Sequence, residues 1–304
     1  MKKFFLFLVR CSCIFMLCYV LFIILLVIFY TNKNITDSYI ASDFDKHNRL
    51  IQISSPKIVF IGGSNIAFGL HSELIKDSLH IEPVNMGISA GIGLKYMLKE
   101  VIPHLKTKDI LVIIPEYEQF SPKCYCGEET LSELLMIKKE WKELVFQTDW
   151  VVFPSSLISR VITDIIYHFT NKATPERYSR IKFNEYGDYI GHWQFKHHLI
   201  SAPPITSSFS PKVIEDIKGI TLQLEHKGVK IYLMPPCYHA NNYSLDSQRI
   251  LSIQKELQKQ GIPFLSSPER YVFNDSLFYD TQYHLTKEGG LIRTQRLIED
   301  LKRK

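Results

Sequence analysis

The stretch "KIVFIGGSNIAFGL", residues 57–70, predicts a buried strand that runs directly into a helical turn. The strand begins with the apolar run of residues 58–61, which is typical of strands covered on both faces. Two glycines, Ser64 and Asn65 follow it and form a tight turn, which can present one hydroxyl at the rim of a sheet. The same residues also suit a plain N-terminal cap of the next helix. The rest of the chain must decide between a reactive serine and a cap.

Other short apolar runs alternate with helical patterns along the chain. The predicted strands are 57–62, 81–87, 109–115, 229–236 and 262–267. The helical patterns between and after them cover 93–104, 211–228, 247–261 and 287–302. Such alternation, joined by right-handed crossovers, predicts an α/β fold with a doubly wound, parallel five-stranded sheet in a flavodoxin-like three-layer sandwich.

Residues 121–210 interrupt this alternation with helical and aromatic sequence, including "YGDYIGHWQFKHH". We expect them to form an insertion over the carboxyl ends of the strands, where ligands bind in such folds. His197 and His198 are the residues in it that suit a metal, but adjacent histidines on a loop are more often solvated. The globular domain is predicted to cover 56–304.

The N-terminal region predicts a membrane anchor. Residues Cys11–Tyr30 contain no charge, and twenty residues of helix span about 30 Å, the thickness of a hydrocarbon core. Lys2, Lys3 and Arg10 precede the run, so residues 1–10 are expected in the cytoplasm and the domain outside it, periplasmic or extracellular. A cleaved signal peptide is the alternative, although the run is long for one and no small-residue cleavage site follows. Residues 31–55 are polar and mixed, and predict a stalk.

Composition excludes several functions. The chain carries 36 Lys and Arg against 31 Asp and Glu, an excess too small to indicate nucleic acid as a partner. It has neither zinc-type Cys/His spacing nor a Gly-rich phosphate loop with a lysine, so no cofactor and no metal is predicted. An oxidising compartment permits a disulfide from Cys237 to Cys124 or Cys126, with free thiols as the alternative.

A second polar motif, "FYDTQYHLTKEGG" (278–290), lies directly before the last helical pattern. In a doubly wound sheet the loops after the first and last strands can meet at the carboxyl edge. His284 is then a candidate base for Ser64, and Asp280 a candidate group to orient its imidazole. The alternative is structural, with Asp280 capping a turn and His284 on the surface.

The order of these motifs resembles the SGNH (GDSL-type) hydrolases over about 56–120 and 228–303. By this resemblance "FIGGSNIAFG" supplies Ser64 as nucleophile and "YDTQYHLTKEG" supplies His284 as base. "VNMGISAG" (84–91) supplies a backbone N–H from Ala90 or Gly91 to the oxyanion hole. In "IIPEYEQF", Tyr117 stands where the family's asparagine donates to the oxyanion.

The sequence departs from the family pattern at three places. Gly63 stands where the family often has Asp, and Tyr117 replaces the asparagine. Asp280 lies four residues before His284, so Thr281 occupies the usual acid position. Asn65 and Glu116 complete the candidate binding residues. Glu116 and Glu118, on alternate positions, form a second acid pair that can orient a sugar hydroxyl, with structural salt bridges as the more common alternative.

Outward-facing, membrane-anchored members of this superfamily include proteins of alginate acetylation and teichoic acid D-alanylation. The resemblance implies a serine esterase or O-acyltransferase that acts on an O-acyl group, acetyl by expectation, of a cell-surface or exported glycan. It also implies work beside a multipass membrane-bound O-acyltransferase. The competing interpretation is a non-catalytic glycan-binding or assembly protein on a degenerate SGNH fold.

Overall fold

The computed structural model describes residues 2–32, 38–140, 142–143, 158, 178–195 and 202–304. The chain divides into two compact units. One contains Met1–Thr36 and Ser132–Arg177, and the other contains Asp37–Leu131 and Tyr178–Lys304.

The smaller unit contains one long apolar helix, α1, over Lys2–Asn32. Its side chains are largely exposed, for example Phe15 with 75% of its surface accessible. By length and composition, Lys2–Leu25 is able to cross a membrane. The helix begins well before the predicted 11–30 span because nothing between Lys2 and Arg10 interrupts helical geometry.

The remaining helices and strands follow in chain order. They are α2 Ser42–Gln52, β1 Lys57–Gly62, α3 Ser64–Ala67, α4 Ser72–Leu79, β2 Glu82–Asn85, α5 Leu94–Val101, β3 Ile110–Ile114, α6 Pro122–Cys126, α7 Glu129–Lys138, α8 Pro211–His226, β4 Lys230–Leu233, β5 Tyr238–His239, α9 Ala240–Leu245, α10 Ser247–Gln260, β6 Val272–Phe273 and α11 Lys287–Lys302.

A four-stranded parallel sheet in the order β2-β1-β3-β4 forms the centre of the larger unit. Ile58 and Phe60 of β1 join Ile75 of α4 and Leu297 of α11 in one buried cluster. Because side chains alternate along a strand, Val59 lies on the opposite face, and it is also fully buried. The α/β class and four of the five predicted strands are confirmed. A separate two-stranded ladder pairs β5 with β6.

The predicted fifth strand, 262–267, is not formed as a strand. Only its Leu265 N–H meets the sheet edge, donating to the Leu233 carbonyl at 2.7 Å. Pro263 lacks the N–H that a continuous ladder needs. The segment therefore touches β4 at one point instead of extending the sheet.

The predicted stalk, 31–55, is corrected in its C-terminal half, which folds onto the domain as α2. Leu50 of this helix is fully buried. Lys46 is buried as well, and its Nζ donates to the carbonyls of Asn85 (2.9 Å) and Gly187 (2.5 Å). The polar composition suggested solvent exposure, but these lysine bonds and the apolar side of α2 attach the segment to the sheet. Residues 33–37 lie outside the described part of the chain.

Part of the predicted 121–210 insertion lies at the carboxyl ends of the first two strands. Asp188 is buried and accepts hydrogen bonds from the Ser72 N–H and hydroxyl and from Asn85 Nδ2, all within 2.7–2.8 Å. Tyr189 N–H donates to the Ala67 carbonyl at 2.8 Å. Residues 178–195 thus cover this edge. His197 and His198, the candidate metal ligands, lie outside the described residues.

The last helix, α11, is joined to the loop that follows α3. Arg293 is buried and one guanidinium nitrogen donates to the Gly69 carbonyl at 3.2 Å. The neighbouring Thr294 hydroxyl accepts the His71 N–H at 3.0 Å. These bonds bring the start of α11, and the His284 loop before it, against the segment that carries Ser64.

The cysteines are unbridged, so the free-thiol alternative describes this structure. Cys124 and Cys237 are buried, with Sγ atoms near the carbonyls of Ala90 (3.6 Å) and Tyr283 (3.3 Å). Burial raises the pKa of the Cys237 thiol to about 12, which keeps it unreactive.

Candidate active site

Ser64 begins α3 directly after two glycines whose lack of a side chain is required by close contacts. A Cβ on Gly62 would lie 2.2 Å from the Ile114 carbonyl oxygen of the neighbouring strand. A Cβ on Gly63 would lie 2.2 Å from Glu116 Oε1. The glycines therefore let strand β3 and the Glu116 carboxyl approach the turn that holds Ser64.

Glu116 contacts the candidate nucleophile directly. Its Oε1 accepts the Ser64 hydroxyl at 3.1 Å and the Asn65 N–H at 2.9 Å. The side chain is buried, and this burial, followed by the charge of Glu118, raises the Glu116 pKa to about 7. The carboxyl predicted as a binding group is thus a direct neighbour of Ser64, and it titrates near neutral pH.

Asn65 is fully buried beneath the turn. Its Nδ2 donates to the Ile114 carbonyl at 3.1 Å, so the side chain ties α3 to β3. A side chain closed off from solvent cannot meet a substrate in this conformation. The structure places Asn65 as a support of the turn instead of a substrate contact.

The second predicted loop lies against the same turn. A Cβ on Gly63 would come within 3.0 Å of the Ala90 Cβ. The Gly91 N–H donates to the Ser89 hydroxyl at 3.3 Å, an N-cap interaction of the short helical turn that begins at Ala90. Of the two predicted backbone donors, Gly91 is thus engaged locally, and Ala90 is the residue beside Gly63.

His284 is oriented by Asp280 in spite of the four-residue spacing. The Asp280 carboxylate is buried and its Oδ1 lies 2.8 Å from His284 Nδ1. The extra residue, Thr281, closes the turn: its hydroxyl accepts the backbone N–H of His284 at 3.2 Å. Asp280 therefore binds Nδ1, which leaves Nε2 as the nitrogen for proton transfer.

Phe68 connects the histidine to the serine. Its ring stacks on the His284 imidazole with a centroid distance of 3.9 Å and an interplanar angle of 6°. Its N–H donates to the Ser64 carbonyl at 2.9 Å, because Phe68 completes the helical turn that Ser64 begins. Phe68 therefore contacts both candidate catalytic residues, the His284 imidazole with its ring and the Ser64 carbonyl with its N–H.

Two tyrosines that the sequence did not single out extend these contacts. The Tyr178 hydroxyl is hydrogen-bonded to the second Asp280 oxygen. The Tyr39 hydroxyl donates to the Ile88 carbonyl at 2.7 Å, and its ring packs on Tyr178 at 5.5 Å. Burial raises the Tyr39 pKa well above its usual value, with further contributions from neighbouring Tyr178, Tyr189, Glu116 and Asp280. Tyr39 thus lies near both the Glu116 and the Asp280 carboxyl.

Tyr117 is placed differently from the prediction. Its ring packs edge-on against Tyr238 at 5.1 Å. Its hydroxyl is enclosed and has no hydrogen-bond partner among the described residues. An enclosed hydroxyl cannot donate to an oxyanion on Ser64, so the structure does not bring Tyr117 into the site. The neighbouring residue, Glu116, is the one that contacts Ser64.

A scan of family models and a search of curated proteins both found no match for this chain.

Proposed function

We propose that this protein is a serine esterase or O-acyltransferase of the SGNH type, acting on an O-acyl group, most simply acetyl, of a cell-surface or exported glycan. The hydrogen bond that His284 Nδ1 donates to the Asp280 carboxylate, on a ring stacked against the Ser64 turn, carries the proposal. The motif order and the loop containing Ala90 support it. The glycan and a multipass O-acyltransferase partner rest on the family resemblance alone.

The fold is consistent with the same class. A parallel α/β sheet presents loops at its carboxyl edge, where such enzymes hold their catalytic groups. We assign the fifth position of a flavodoxin-like SGNH sheet to residues 262–267. The hydrogen bond from Leu265 to Leu233 supports this assignment.

The proposed reaction has two acyl-transfer steps. His284 Nε2 takes the Ser64 proton while Oγ bonds to the acyl carbon, and the proton then passes to the departing alcohol oxygen as the ester bond breaks. In the second step His284 deprotonates water or an acceptor hydroxyl as its oxygen bonds to the acyl carbon. The bond from the acyl carbon to Ser64 Oγ then breaks, and His284 returns the proton to Oγ. An esterase and a transferase differ only in that second acceptor.

Acyl-enzyme formation tests the proposal. Full-length protein in detergent, mixed briefly with 4-nitrophenyl acetate, should gain the mass of one acetyl group on the peptide containing Ser64. Peptide mass spectrometry makes the measurement. Glycan retention with no adduct at any time would support the binding protein instead.

The domain is proposed to lie outside the cytoplasm on a single-pass anchor. Lys2, Lys3 and Arg10 precede the apolar part of α1 and support a cytoplasmic N-terminus. Alkaline phosphatase fused after Lys304 should be active, because it folds only in an oxidising compartment, and the fusion should stay in membranes after a carbonate wash. An inactive fusion would indicate the opposite orientation. A soluble, shortened form of the protein would indicate that the apolar segment is a cleaved signal peptide and not an anchor.

Tyr178→Phe should impair catalysis without unfolding the domain. Loss of the hydroxyl removes a hydrogen bond to Asp280, which leaves more negative charge facing His284 and favours the protonated imidazole. The acid limb of the pH–rate profile should therefore move to higher pH, and kcat should fall about 10-fold, since a hydrogen bond to a charged group is worth about 1.5–3 kcal/mol. The profile is measured with 4-nitrophenyl acetate.

Tyr279→Phe is the matched control, because Tyr279 belongs to the same aromatic cluster and is only partly buried. The acid limb of the pH–rate profile of Tyr279→Phe should not shift. An equal shift in both variants would assign the effect to general packing and contradict a specific role for Tyr178.

A further inference from the structure

The Tyr283 hydroxyl joins two loops that carry candidate catalytic groups. It accepts the Tyr117 N–H at 3.1 Å and donates to Glu118 Oε2 at 2.6 Å. Tyr283 directly precedes His284 in the chain, and Tyr117 directly follows Glu116. A single side chain therefore holds the loop before α11 to the loop after β3.

The position of this hydroxyl is fixed from several sides. Tyr283 is buried, and its ring packs on Tyr238 with a centroid distance of 4.9 Å. Its carbonyl accepts the Cys237 thiol at 3.3 Å, and its N–H donates to the Thr281 hydroxyl at 3.3 Å. Burial, followed by the charge of Glu118, raises the Tyr283 pKa well above its usual value, so the hydroxyl keeps the proton that it donates.

The connection reaches both the candidate nucleophile and the candidate base. On one side Tyr117 is bonded covalently to Glu116, whose carboxyl accepts the Ser64 hydroxyl at 3.1 Å. On the other side Tyr283 is bonded covalently to His284. Proton transfer between the serine and the histidine depends on their separation, and a displacement of about 1 Å can lower a rate about 10²-fold. A contact that fixes one loop against the other therefore bears on the rate of that step.

We propose that Tyr283 is a positioning residue, whose hydroxyl sets the distance between Ser64 and His284 by holding their two supporting loops together. The inference rests on the proposed acyl-transfer function. During acylation the Ser64 proton passes to His284, Oγ bonds to the acyl carbon, and the carbonyl electron pair moves onto the acyl oxygen. Tyr283 takes no part in these bond changes, and Glu118 is the acceptor that anchors its hydroxyl.

Tyr283→Phe removes the hydroxyl and keeps the ring. The maximum rate of acylation by 4-nitrophenyl acetate should fall about 10- to 100-fold, because the base is no longer held at its working distance. The substrate concentration that gives half of this rate should not change, since no substrate contact is lost. Stopped-flow release of 4-nitrophenol by the full-length protein measures both quantities.

Tyr271→Phe is the matched control for a purely structural effect. Tyr271 is similarly buried, and its hydroxyl also donates to a carboxylate, Asp300 Oδ2, at 2.8 Å. Neither residue belongs to the two loops. Thermal unfolding should show comparable losses of stability in both variants, but only Tyr283→Phe should acylate slowly. An equal fall in rate in both would assign the effect to stability and overturn the inference.

Two changes of Glu118 test the same contact if Tyr283→Phe does not fold. Glu118→Gln retains an oxygen that can accept the hydroxyl, so it should keep most of the acylation rate. Glu118→Ala removes the acceptor and should acylate slowly, with circular dichroism to verify folding. An equal loss in both variants would assign the effect to the charge of Glu118 and contradict positioning.

A wild-type acylation rate in folded Tyr283→Phe, or in folded Glu118→Ala, would overturn the inference and leave the acyl-transfer function standing. The absence of any adduct on wild-type Ser64 is a different result, because it rejects the acyl-transfer function itself and the inference with it.

Discussion

Ser64→Ala abolishes acyl-enzyme formation and turnover in the proposed mechanism, the largest effect expected from any single change. Oγ is the atom that bonds to the acyl carbon, and no neighbouring hydroxyl in the turn can take its place. Within the described part of the chain, the Ser64 side chain makes one hydrogen bond, to Glu116, so folding should be nearly unaffected. Intact-mass spectrometry measures the adduct, and thermal unfolding measures stability.

Ser252→Ala is the matched control for this change. Ser252 is exposed on α10, where its hydroxyl donates to the Gln248 carbonyl. This variant should form the adduct at the wild-type rate. A full adduct in Ser64→Ala would contradict the assignment of Ser64 as the nucleophile. An adduct located on another residue would identify that residue as the nucleophile instead.

His284→Ala should be nearly as damaging, with a loss of about 10⁴-fold or more, because nucleophile and base act as a unit. The substitution removes the base and leaves a space next to the flat face of Phe68, which stacks on the imidazole in the native site. Added imidazole should fill this space and restore part of the acylation rate, measured by stopped-flow release of 4-nitrophenol.

His226→Ala provides the control, because His226 is exposed at the end of α8. It should react like wild type and show no response to imidazole. A His284→Ala variant that keeps wild-type rates would transfer the role of base to Glu116, whose Oε1 accepts the Ser64 hydroxyl.

The sequence predicted those parts of the fold that depend on local pattern. The apolar runs of β1 and β3 are long enough to identify buried parallel strands, and both are formed. The run at 262–267 is also partly apolar, but Pro263 lacks the N–H that a ladder needs, and the segment bonds to β4 only through Leu265 within the described residues. Polarity misassigned α2, because Lys46 finds carbonyl partners only in the folded domain.

The site shows the same division between local and long-range information. Motif order identified Ser64, Asp280 and His284 as candidates, and the spacing of four residues was accommodated by Thr281. The partnership of Ser64 with Glu116 depends on the missing Cβ of Gly63 and on a particular rotamer. The contact of Tyr178 with Asp280 joins residues 102 positions apart. Neither leaves a local signature in the sequence.

The bonds from Arg293 to Gly69 and from Thr294 to His71 have a consequence for how the chain is made. They join residues separated by 224 and 223 positions, so the Ser64 turn cannot reach its final packing until the last helix has been synthesised. At a synthesis rate of about 5–20 residues per second, that wait lasts roughly 10 to 45 seconds. Throughout this interval the apolar strand β1 is without its C-terminal covering helix, and exposed apolar surface of this kind makes a nascent chain prone to aggregation. We expect truncations that remove α11 to accumulate as degraded or aggregated protein instead of a partly active domain.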